Sequence, residues 1–299
     1  NLEAKPHLEL ENIMNYLARS ALILLLSFAA AAQARDGQFG LPPSRQIIGE
    51  IRSHHEGLAV WWTGHNGWLI KVDGVLIGND LVLEAAERLQ QSPVTTAELA
   101  GELDISFVGH EHGDHFNDQV ARVLIERSEC LFVVPKSCLD KARRLGMPES
   151  RIIVAIPGEP FEIKGVRVMP LHALHGHKQF SIHKGASFED CGYLITMGGK
   201  TFLQPGDTFL LQEHLELKDT VDVLFVSPTE HNMHIQQSVI LINQLEPAYI
   251  LPQHRDTYRQ TPENRYWTNG YADEVKTHLS RSLQARYHVL EQGERLMIR

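Results

Sequence analysis

The sequence predicts an α+β fold in which two mixed β-sheets face each other and helices cover their outer surfaces. Short apolar segments recur along the chain from residue 58 onwards, as expected for strands. Asp73-Gly74 and Gly198-Gly199 each stand between two such segments and indicate hairpins. Other apolar segments are separated by helix-like stretches, which fits strands that are covered on one face by a helix.

The first half of this pattern begins with three strands of one antiparallel sheet and continues with alternating strands and helices. Asn117 or Asp118 is a suitable N-cap for one helix, and Gly146 followed by Pro148 is a suitable end for another. In chain order the predicted segments are strands 58–62, 68–72 and 75–77, helix 84–91, strand 105–109, helix 117–127, strand 131–134 and helix 137–146.

The second half repeats this theme without visible sequence identity to the first half. A final hairpin is predicted from two apolar segments joined by Gln292-Gly293. In chain order the segments are strands 152–155, 166–171, 192–197, 201–204 and 222–226, helix 235–245, strand 248–251, helix 271–283 and the hairpin strands 286–290 and 294–298.

The composition fits a folded protein and limits its partners. Of the 299 residues 43% are hydrophobic, so a sizeable core can form. The formal net charge of −9 does not favour nucleic acid as a partner, because such binding needs clustered Lys and Arg. Cys130, Cys138 and Cys191 have no CxxC spacing, and we do not expect a cysteine nucleophile.

The N-terminal segment is typical of a secretory signal. Met14 is a candidate start, residues 21–32 are apolar, and Ala32-Gln33-Ala34 fits a cleavage site. Cleavage after Ala34 would make the protein periplasmic or secreted. The alternatives are an uncleaved membrane anchor or an amphipathic helix, and membrane proximity is expected only through this segment. The predicted division is a signal peptide or apolar helix over 1–34, an extension over 35–57 and the main domain over 58–299.

The most informative motif is His110-x-His112-x-Asp114-His115, which follows the apolar segment 105–107. It places four metal-capable side chains within six positions. His110 and His112 can supply neutral imidazole to one divalent ion, while Asp114 and His115 can serve a neighbouring ion about 3.5–4 Å away. The alternative is a polar, solvated loop, since motif matches carry false positives.

This motif resembles the HxHxDH loop of the metallo-β-lactamase superfamily, and four further blocks follow the order of that family. The opening Gly-His and the final Pro-x-His look most like the branch that contains L-ascorbate-6-phosphate lactonase and the N-acylphosphatidylethanolamine-hydrolysing phospholipase D. The resemblance implies a four-layer αββα sandwich, with a hydrolase domain over 58–299. The four further blocks are Trp61–Ile70, Asn79-Asp80, Phe202–Thr208 and Ile250–His254.

The resemblance also implies which residues hold two metal ions. His110 and His112 would hold the first ion, Asp114, His115 and His254 the second, and Asp207 would bridge the two. The segment 170–177 offers three histidines for the remaining ligand of the first ion. We select His175, because the family's ligand tends to precede a small residue, and keep His172 as the alternative.

Other candidates would orient ligands or contact substrate. The family's strand-end Asp, here Asp80, would orient a metal-bound imidazole, although it could also only cap its turn. His65 and Asn66 would line the floor of the pocket. His231 and His234 flank the predicted ligands and could bind an anionic substrate, or could simply be solvated.

The implied activity is hydrolysis of an ester, lactone or phosphodiester by a metal-bridging hydroxide, with Asp114 or Asp207 relaying a proton. Ligands that are all nitrogen or oxygen suit zinc or manganese, and less so iron. The substrate would be a small molecule or lipid-derived, and the oligomeric state is unknown. Two alternatives remain: an iron-dependent redox member of the same fold, and a metal-binding protein without catalytic activity. We do not expect a true β-lactamase, since no drug-binding loop is recognisable.

Overall fold

The computed structural model describes residues 45–178 and 181–299. The predicted signal peptide over 1–34 and the first part of the extension over 35–57 lie outside the described residues. Within the part of the chain that is described, no helix is both long enough and apolar enough to cross a membrane.

The strands form two large mixed sheets and one small ribbon. The first sheet has seven strands in the order β15-β1-β2-β3-β4-β5-β6, and the second has six in the order β14-β13-β12-β11-β8-β7, while β9 and β10 form the ribbon. The bounds are β1 Leu58–Gly64, β2 Gly67–Val72, β3 Val75–Asn79, β4 Ile105–Phe107, β5 Leu131–Pro135, β6 Ile152–Ala155, β7 Phe161–Ile163, β8 Val166–His172, β9 Gly176–Lys178, β10 Ser181–Ile182, β11 Cys191–Met197, β12 Lys200–Gln204, β13 Val223–Val226, β14 Tyr249–Pro252 and β15 Arg295–Ile298.

The helices are short except for two. The bounds are α1 Ile48–Ser53, α2 Thr96–Leu99, α3 Asp118–Arg127, α4 Leu139–Arg144, α5 Gln212–Leu215, α6 His234–Leu245, α7 Arg265–Thr268, α8 Ala272–Thr277 and α9 Arg281–Gln284. Asn117 caps α3 as predicted, since its side chain accepts hydrogen bonds from the backbone amides of Gln119 and Val120.

The two sheets pack face to face, and this confirms the predicted fold class. The inner core joins side chains of both sheets, and the rings of Trp68 on β2 and Phe225 on β13 lie 4.6 Å apart. The outer face of the first sheet packs against α3 and α4, where Val120, Leu124 and Ala142 are buried. Leu241 and Ile242 on α6 cover the outer face of the second sheet. The order of layers is therefore helix, sheet, sheet, helix.

Both predicted internal hairpins are present. Asp73 and Gly74 have φ values of 51° and 81°, and Gly198 and Gly199 have values of 55° and 72°. Positive φ at both central residues is the geometry of a type I′ turn, whose twist matches that of the flanking strands. β2 therefore pairs antiparallel with β3, and β11 with β12.

The predicted helix over 84–91 is wrong. This segment consists of bends, turns and a single bridge from Arg88 to Tyr258, because its polar groups bond to distant parts of the chain. The Arg88 guanidinium donates to the backbone oxygens of Val82 and Thr63, both at 2.7 Å. The amide of Leu89 donates to the oxygen of Thr257 at 2.9 Å. The predicted helix over 271–283 is interrupted, and its second part, α9, begins after the N-cap Ser280.

The predicted C-terminal hairpin is also wrong. Residues 286–290 contribute a single bridge, in which Tyr287 lies parallel to Ile250 beside β14. β15 instead pairs antiparallel with β1 in the other sheet, with Ile298 opposite Leu58. The last strand therefore closes the edge of the first sheet. At the other end of the described chain, Ile47 and Ile51 are fully buried in the core beneath α1.

Candidate metal centre

The candidate site residues follow the carboxyl ends of strands from both sheets. The motif 110–115 follows β4, and Asp80 follows the adjacent parallel strand β3. In the second sheet, His175, Asp207 and His254 follow β8, β12 and β14 in the same way. Because these strand ends meet at one edge of the sandwich, side chains that are distant in sequence converge there.

The loop after β4 is fixed by short backbone contacts. Gly109 donates its amide to Asp80 Oδ1 at 2.8 Å, which ties the loop to the end of β3. The amides of His115 and Phe116 both bond to the oxygen of His112, at 3.0 and 2.7 Å, and so make a tight turn. The loop is thereby held in a conformation that presents the motif's side chains to the centre of the site.

One group of potential ligands contains His110, His112 and His175, whose nitrogen atoms lie within 4.8 Å of one another. His172, the alternative to His175, is not in this group. It points to the surface, with Nδ1 3.3 Å from Glu213 Oε2 and 43% of its side chain exposed. Of the two alternatives, the structure brings His175 to the motif.

A second group contains His65, Asp114, His115 and His254, also with ligand atoms within 4.8 Å of one another. His65 Nε2 lies 3.0 Å from Asp114 Oδ2. In the same group, Nδ1 of His115 lies 2.9 Å from Asp80 Oδ2. Since that carboxylate accepts a hydrogen from Nδ1, Nε2 is the nitrogen of His115 that would bind a metal ion.

Asp207 lies between the two groups and is almost fully buried. Its Oδ1 accepts a hydrogen bond from Asn66 Nδ2 at 3.1 Å. Its Oδ2 lies close to four imidazole nitrogens, and the distances to Nε2 are 2.8 Å for His231, 3.1 Å for His254, 3.3 Å for His115 and 3.4 Å for His175. One carboxylate oxygen is therefore shared by side chains from both groups.

The titration behaviour of the site reflects burial and close charges. Burial lowers the pKa of His110 well below its usual value, and lowers that of His112 to about 4, with neighbouring histidines adding to the effect. Burial acts against a proton on His115 too, but Asp207, Asp80 and Asp114 outweigh it and raise the pKa. Burial alone would raise the pKa of Asp207, but His254 and His115 hold it well below the usual range.

The residues present fit divalent metal ions. Among the described residues, buried His110 Nε2 has no hydrogen-bond partner, although an unpaired buried nitrogen is costly. Four imidazole nitrogens also lie close to one carboxylate oxygen, which is more than the two hydrogen bonds that its lone pairs can accept. Cations would compensate both features. The donors are nitrogen and oxygen, a set that suits zinc, manganese or iron.

Two cavities open beside this centre. One, of about 390 Å³, is lined by His112, His175, His231 and His183. The other, of about 830 Å³, is lined partly by apolar and aromatic side chains, among them Val82, Leu89 and Tyr258. Asp114 and Trp267 line both cavities, so the two meet at the metal centre.

Comparison with known proteins identifies the family. Residues 59–254 match the model of the beta-lactamase superfamily domain, a stretch that runs from β1 to the histidine after β14. The chain belongs to the metallo-β-lactamase superfamily. Strands of both sheets fall within the match, and so does every potential ligand from His65 to His254 in this superfamily member.

Relatives of this metallo-β-lactamase-fold protein are described as metal-dependent hydrolases. A UPF0173 metal-dependent hydrolase of Hyperthermus butylicus is 28% identical over 79% of this chain and 97% of that protein. The structure of Igni18, a metallo hydrolase of Ignicoccus hospitalis, has a TM-score of 0.64 at 22% identity, covering 81% of this chain and 98% of the other. CmlA, a diiron β-hydroxylase of Streptomyces venezuelae, has a TM-score of 0.61 at 17% identity, covering 81% of this chain and 54% of the other. These two structures show a shared fold.

The structure also separates the remaining candidates. His231, expected to flank the ligands, reaches Asp207, whereas His234 lies against the ring of Tyr271 at 5.1 Å and belongs to neither group. Sequence reasoning did not single out His183 or Trp267, which line the cavities. His231 follows the buried strand β13, as His175, Asp207 and His254 follow their strands.

Proposed function

We propose that this protein is a binuclear metal-dependent hydrolase that acts on an ester, lactone or phosphodiester. The observation that carries the proposal is the convergence of four imidazole nitrogens on Asp207 Oδ2, at 2.8–3.4 Å, between two groups of potential ligands. Bound divalent ions would supply Lewis acidity and lower the pKa of water towards neutrality. We propose zinc or manganese as these ions, on the basis of the nitrogen and oxygen donors.

Asp114 is suited to receive a proton during the reaction. Its side chain is 26% exposed and lines both cavities, so it can reach a bound substrate. His65 Nε2 lies 3.0 Å from its Oδ2 and holds the carboxylate in place. Asp207 is less accessible, and its hydrogen bond from Asn66 fixes it between the two ligand groups. A proton relay through Asp114 therefore fits the geometry better than one through Asp207.

The cavities favour a substrate with a polar reacting group and an apolar portion. The reacting group would lie at the smaller cavity, which the histidines line. The larger cavity offers Val82, Leu89 and Tyr258 to an apolar portion, with Asn117 and Asn264 at its polar side. This arrangement fits a small-molecule or lipid-derived substrate.

Metal analysis combined with a substrate panel tests this proposal. We expect the purified protein to bind up to two divalent ions per chain and to hydrolyse at least one generic ester, lactone or phosphodiester. A chelator should abolish the activity, and zinc or manganese should restore it. Asp114→Asn should reduce kcat by about 10²–10⁴-fold, the usual contribution of a positioned acid or base. Asp140→Asn, an exposed change on α4, is the matched control and should have no effect.

Two results would contradict the proposal. Tightly bound iron with a visible redox response, together with no hydrolysis, would favour the iron-dependent redox alternative. CmlA, a diiron β-hydroxylase with a similar fold, is the relevant comparison for that outcome. Bound metal without any turnover of the panel would favour a metal-binding protein that is not an enzyme.

A further inference from the structure

His231 is more tightly integrated into the centre than a substrate-contacting residue needs to be. Its side chain is only 3% exposed, and its Nε2 makes the shortest of the four imidazole contacts to Asp207 Oδ2, at 2.8 Å. Its ring also lies 5.1 Å from that of His175 and 5.0 Å from that of His254. The resemblance to the superfamily assigned no ligand role to this position.

The hydrogen bonding of the ring decides which nitrogen can bind a metal. His231 Nδ1 lies 3.2 Å from the backbone oxygen of Tyr266. A carbonyl oxygen only accepts hydrogen bonds, so Nδ1 carries the hydrogen and Nε2 of the neutral ring carries a lone pair. That lone pair faces a carboxylate oxygen at 2.8 Å. Such a contact is repulsive for the neutral ring, and it becomes favourable when a proton or a metal ion is bound at Nε2 beside the carboxylate.

We propose that His231 is a metal ligand through Nε2, at the ion that it shares with His175 and Asp207. The ligand atoms of these three residues lie within 4.8 Å of one another. The inference rests on the metal centre of the proposed function, and it does not depend on the substrate.

The arrangement of His231 matches that of His115. In both residues Nδ1 contacts an acceptor, Tyr266 O or Asp80 Oδ2, while Nε2 faces Asp207. An outer acceptor of this kind orients metal-bound imidazoles. By contrast, Nδ1 of His175 is buried and has no hydrogen-bond partner among the described residues.

The backbone of His231 is held in place as firmly as its ring. Its amide donates to the oxygen of Tyr266 at 3.3 Å. Its carbonyl oxygen packs so closely on β9 that a Cβ atom added at Gly176 would lie 2.0 Å from it. A side chain whose backbone and ring are both fixed is suited to a ligand position, where geometry must be precise.

An additional imidazole makes the two metal sites unequal. One ion would have His175 and His231 beside Asp207, with His110 and His112 next to His175, so its surroundings are rich in nitrogen. The other would have two carboxylates, Asp114 and Asp207, and fewer imidazoles. We therefore expect the nitrogen-rich site to fill first with a metal that prefers imidazole, leaving the open coordination position at the second site.

Cobalt loading tests this assignment without any substrate. We expect His231→Ala and His231→Gln to weaken binding of the more tightly held Co²⁺ ion by at least 10–100-fold. A loss of this size is typical even when only a residue that hydrogen-bonds to a metal ligand is changed. In the proton spectrum of the Co²⁺ protein, both variants should lack one exchangeable, hyperfine-shifted imidazole N–H signal. Added imidazole should partly restore Co²⁺ affinity in His231→Ala. The matched control is His278→Ala on the surface, which removes a histidine outside both ligand groups.

The outcomes separate this inference from the proposed function. If the wild-type protein takes up Co²⁺ and both variants keep its affinity and every shifted signal, the role of His231 is overturned while the metal centre stands. If the wild-type protein takes up no metal, both proposals are overturned. A crystal structure of the zinc-loaded wild-type protein decides the point even if the variants fail to fold: we expect His231 Nε2 about 2.0–2.1 Å from zinc, and a distance beyond 3 Å would exclude ligation.

Discussion

At the residue scale, Asp207 contacts members of both groups of potential ligands. It receives its position from the turn Pro205-Gly206, where Gly206 has a φ of 71°. Among the ion pairs of the described residues, Asp207 is the only carboxylate that pairs with His231 Nε2. It also contacts His115, His175 and His254. Removing its charge would therefore affect every ligand around it.

We expect Asp207→Asn to lose both metal ions and activity. An amide keeps the shape of the carboxylate but not its charge, so it cannot balance two cations. Metal content after dialysis should fall from the wild-type value to near zero, and kcat/KM should fall by about 10²–10³-fold or more, as for loss of a charge-stabilising group. A variant that kept two ions per chain would show that Asp207 does not bridge them. Asp140→Asn again serves as the control for a surface carboxylate.

A second prediction concerns Asp80, whose carboxylate oxygen Oδ2 lies 2.9 Å from His115 Nδ1. Asp80 has a φ of 43°, a left-handed conformation that Asn also tolerates, so Asp80→Asn keeps the turn. The Asn oxygen can still accept the Gly109 amide, but its NH₂ group would face His115 Nδ1. We expect metal affinity to fall by about 10–100-fold, measured by competition with a chromogenic chelator. An unchanged affinity, with an unchanged melting temperature, would contradict the orienting role.

At the element scale, β11 approaches the backbone of the turn before Asp207 very closely. A Cβ atom at Gly192 would lie 2.5 Å from the backbone oxygen of Pro205, so a larger residue must push the two elements apart. We expect Gly192→Ala to lower the free energy of unfolding by about 1–3 kcal/mol, measured by urea denaturation, and to weaken metal binding as well. At Gly101, a Cβ atom would meet nothing within 4 Å. Gly101→Ala should therefore leave both quantities unchanged, and equal effects of the two changes would contradict this explanation.

Elements were predictable where their determinants are local in sequence. The hairpins at Asp73-Gly74 and Gly198-Gly199 depend on residues that accept positive φ, and the start of α3 depends on Asn117. The prediction of a helix over 84–91 failed because Arg88 donates hydrogen bonds to oxygens that are distant in sequence, such as that of Thr63. The final strand failed for the same reason, since its partner β1 comes from the other end of the described chain.

The candidate centre was predictable to a similar extent. The spacing of the motif 110–115 and the resemblance to a family brought forward residues that the structure places together, including Asp207 and His254. The choice of His175 over His172 rested on a neighbouring small residue. The role of His231 could not be read from sequence, because it depends on the position of the Tyr266 oxygen, which comes from α7.

At the scale of the whole molecule, the buried histidines make stability depend on pH. In the metal-free protein, burial lowers the pKa of His65 to about 3 and that of His112 to about 4, both from 6.5. Below about pH 6.5 these histidines therefore become protonated in the unfolded chain but stay neutral in the folded chain. The free energy of unfolding consequently falls as the pH falls below about 6.5. His115, whose pKa is raised, contributes in the opposite sense and offsets part of the loss.

Urea denaturation in the presence of a chelator measures this dependence. We expect the midpoint to decrease between about pH 6.5 and about pH 4. His65→Gln should flatten the decrease, because it removes one histidine that stays neutral when folded, while His278→Ala on the surface should not. A midpoint that rises as the pH falls would mean that the site accepts protons in the folded state.

The pairing of β15 with β1 also has a consequence for synthesis of the protein. All seven residues of β1 are buried in the folded protein, and the strand that covers its edge, Arg295–Ile298, lies near the opposite end of the described chain. During translation, the apolar edge of β1 therefore stays unpaired until residues 295–298 have left the ribosome. Such an edge is a template for association with other nascent chains. A chaperone that shields this edge during synthesis should therefore raise the soluble yield.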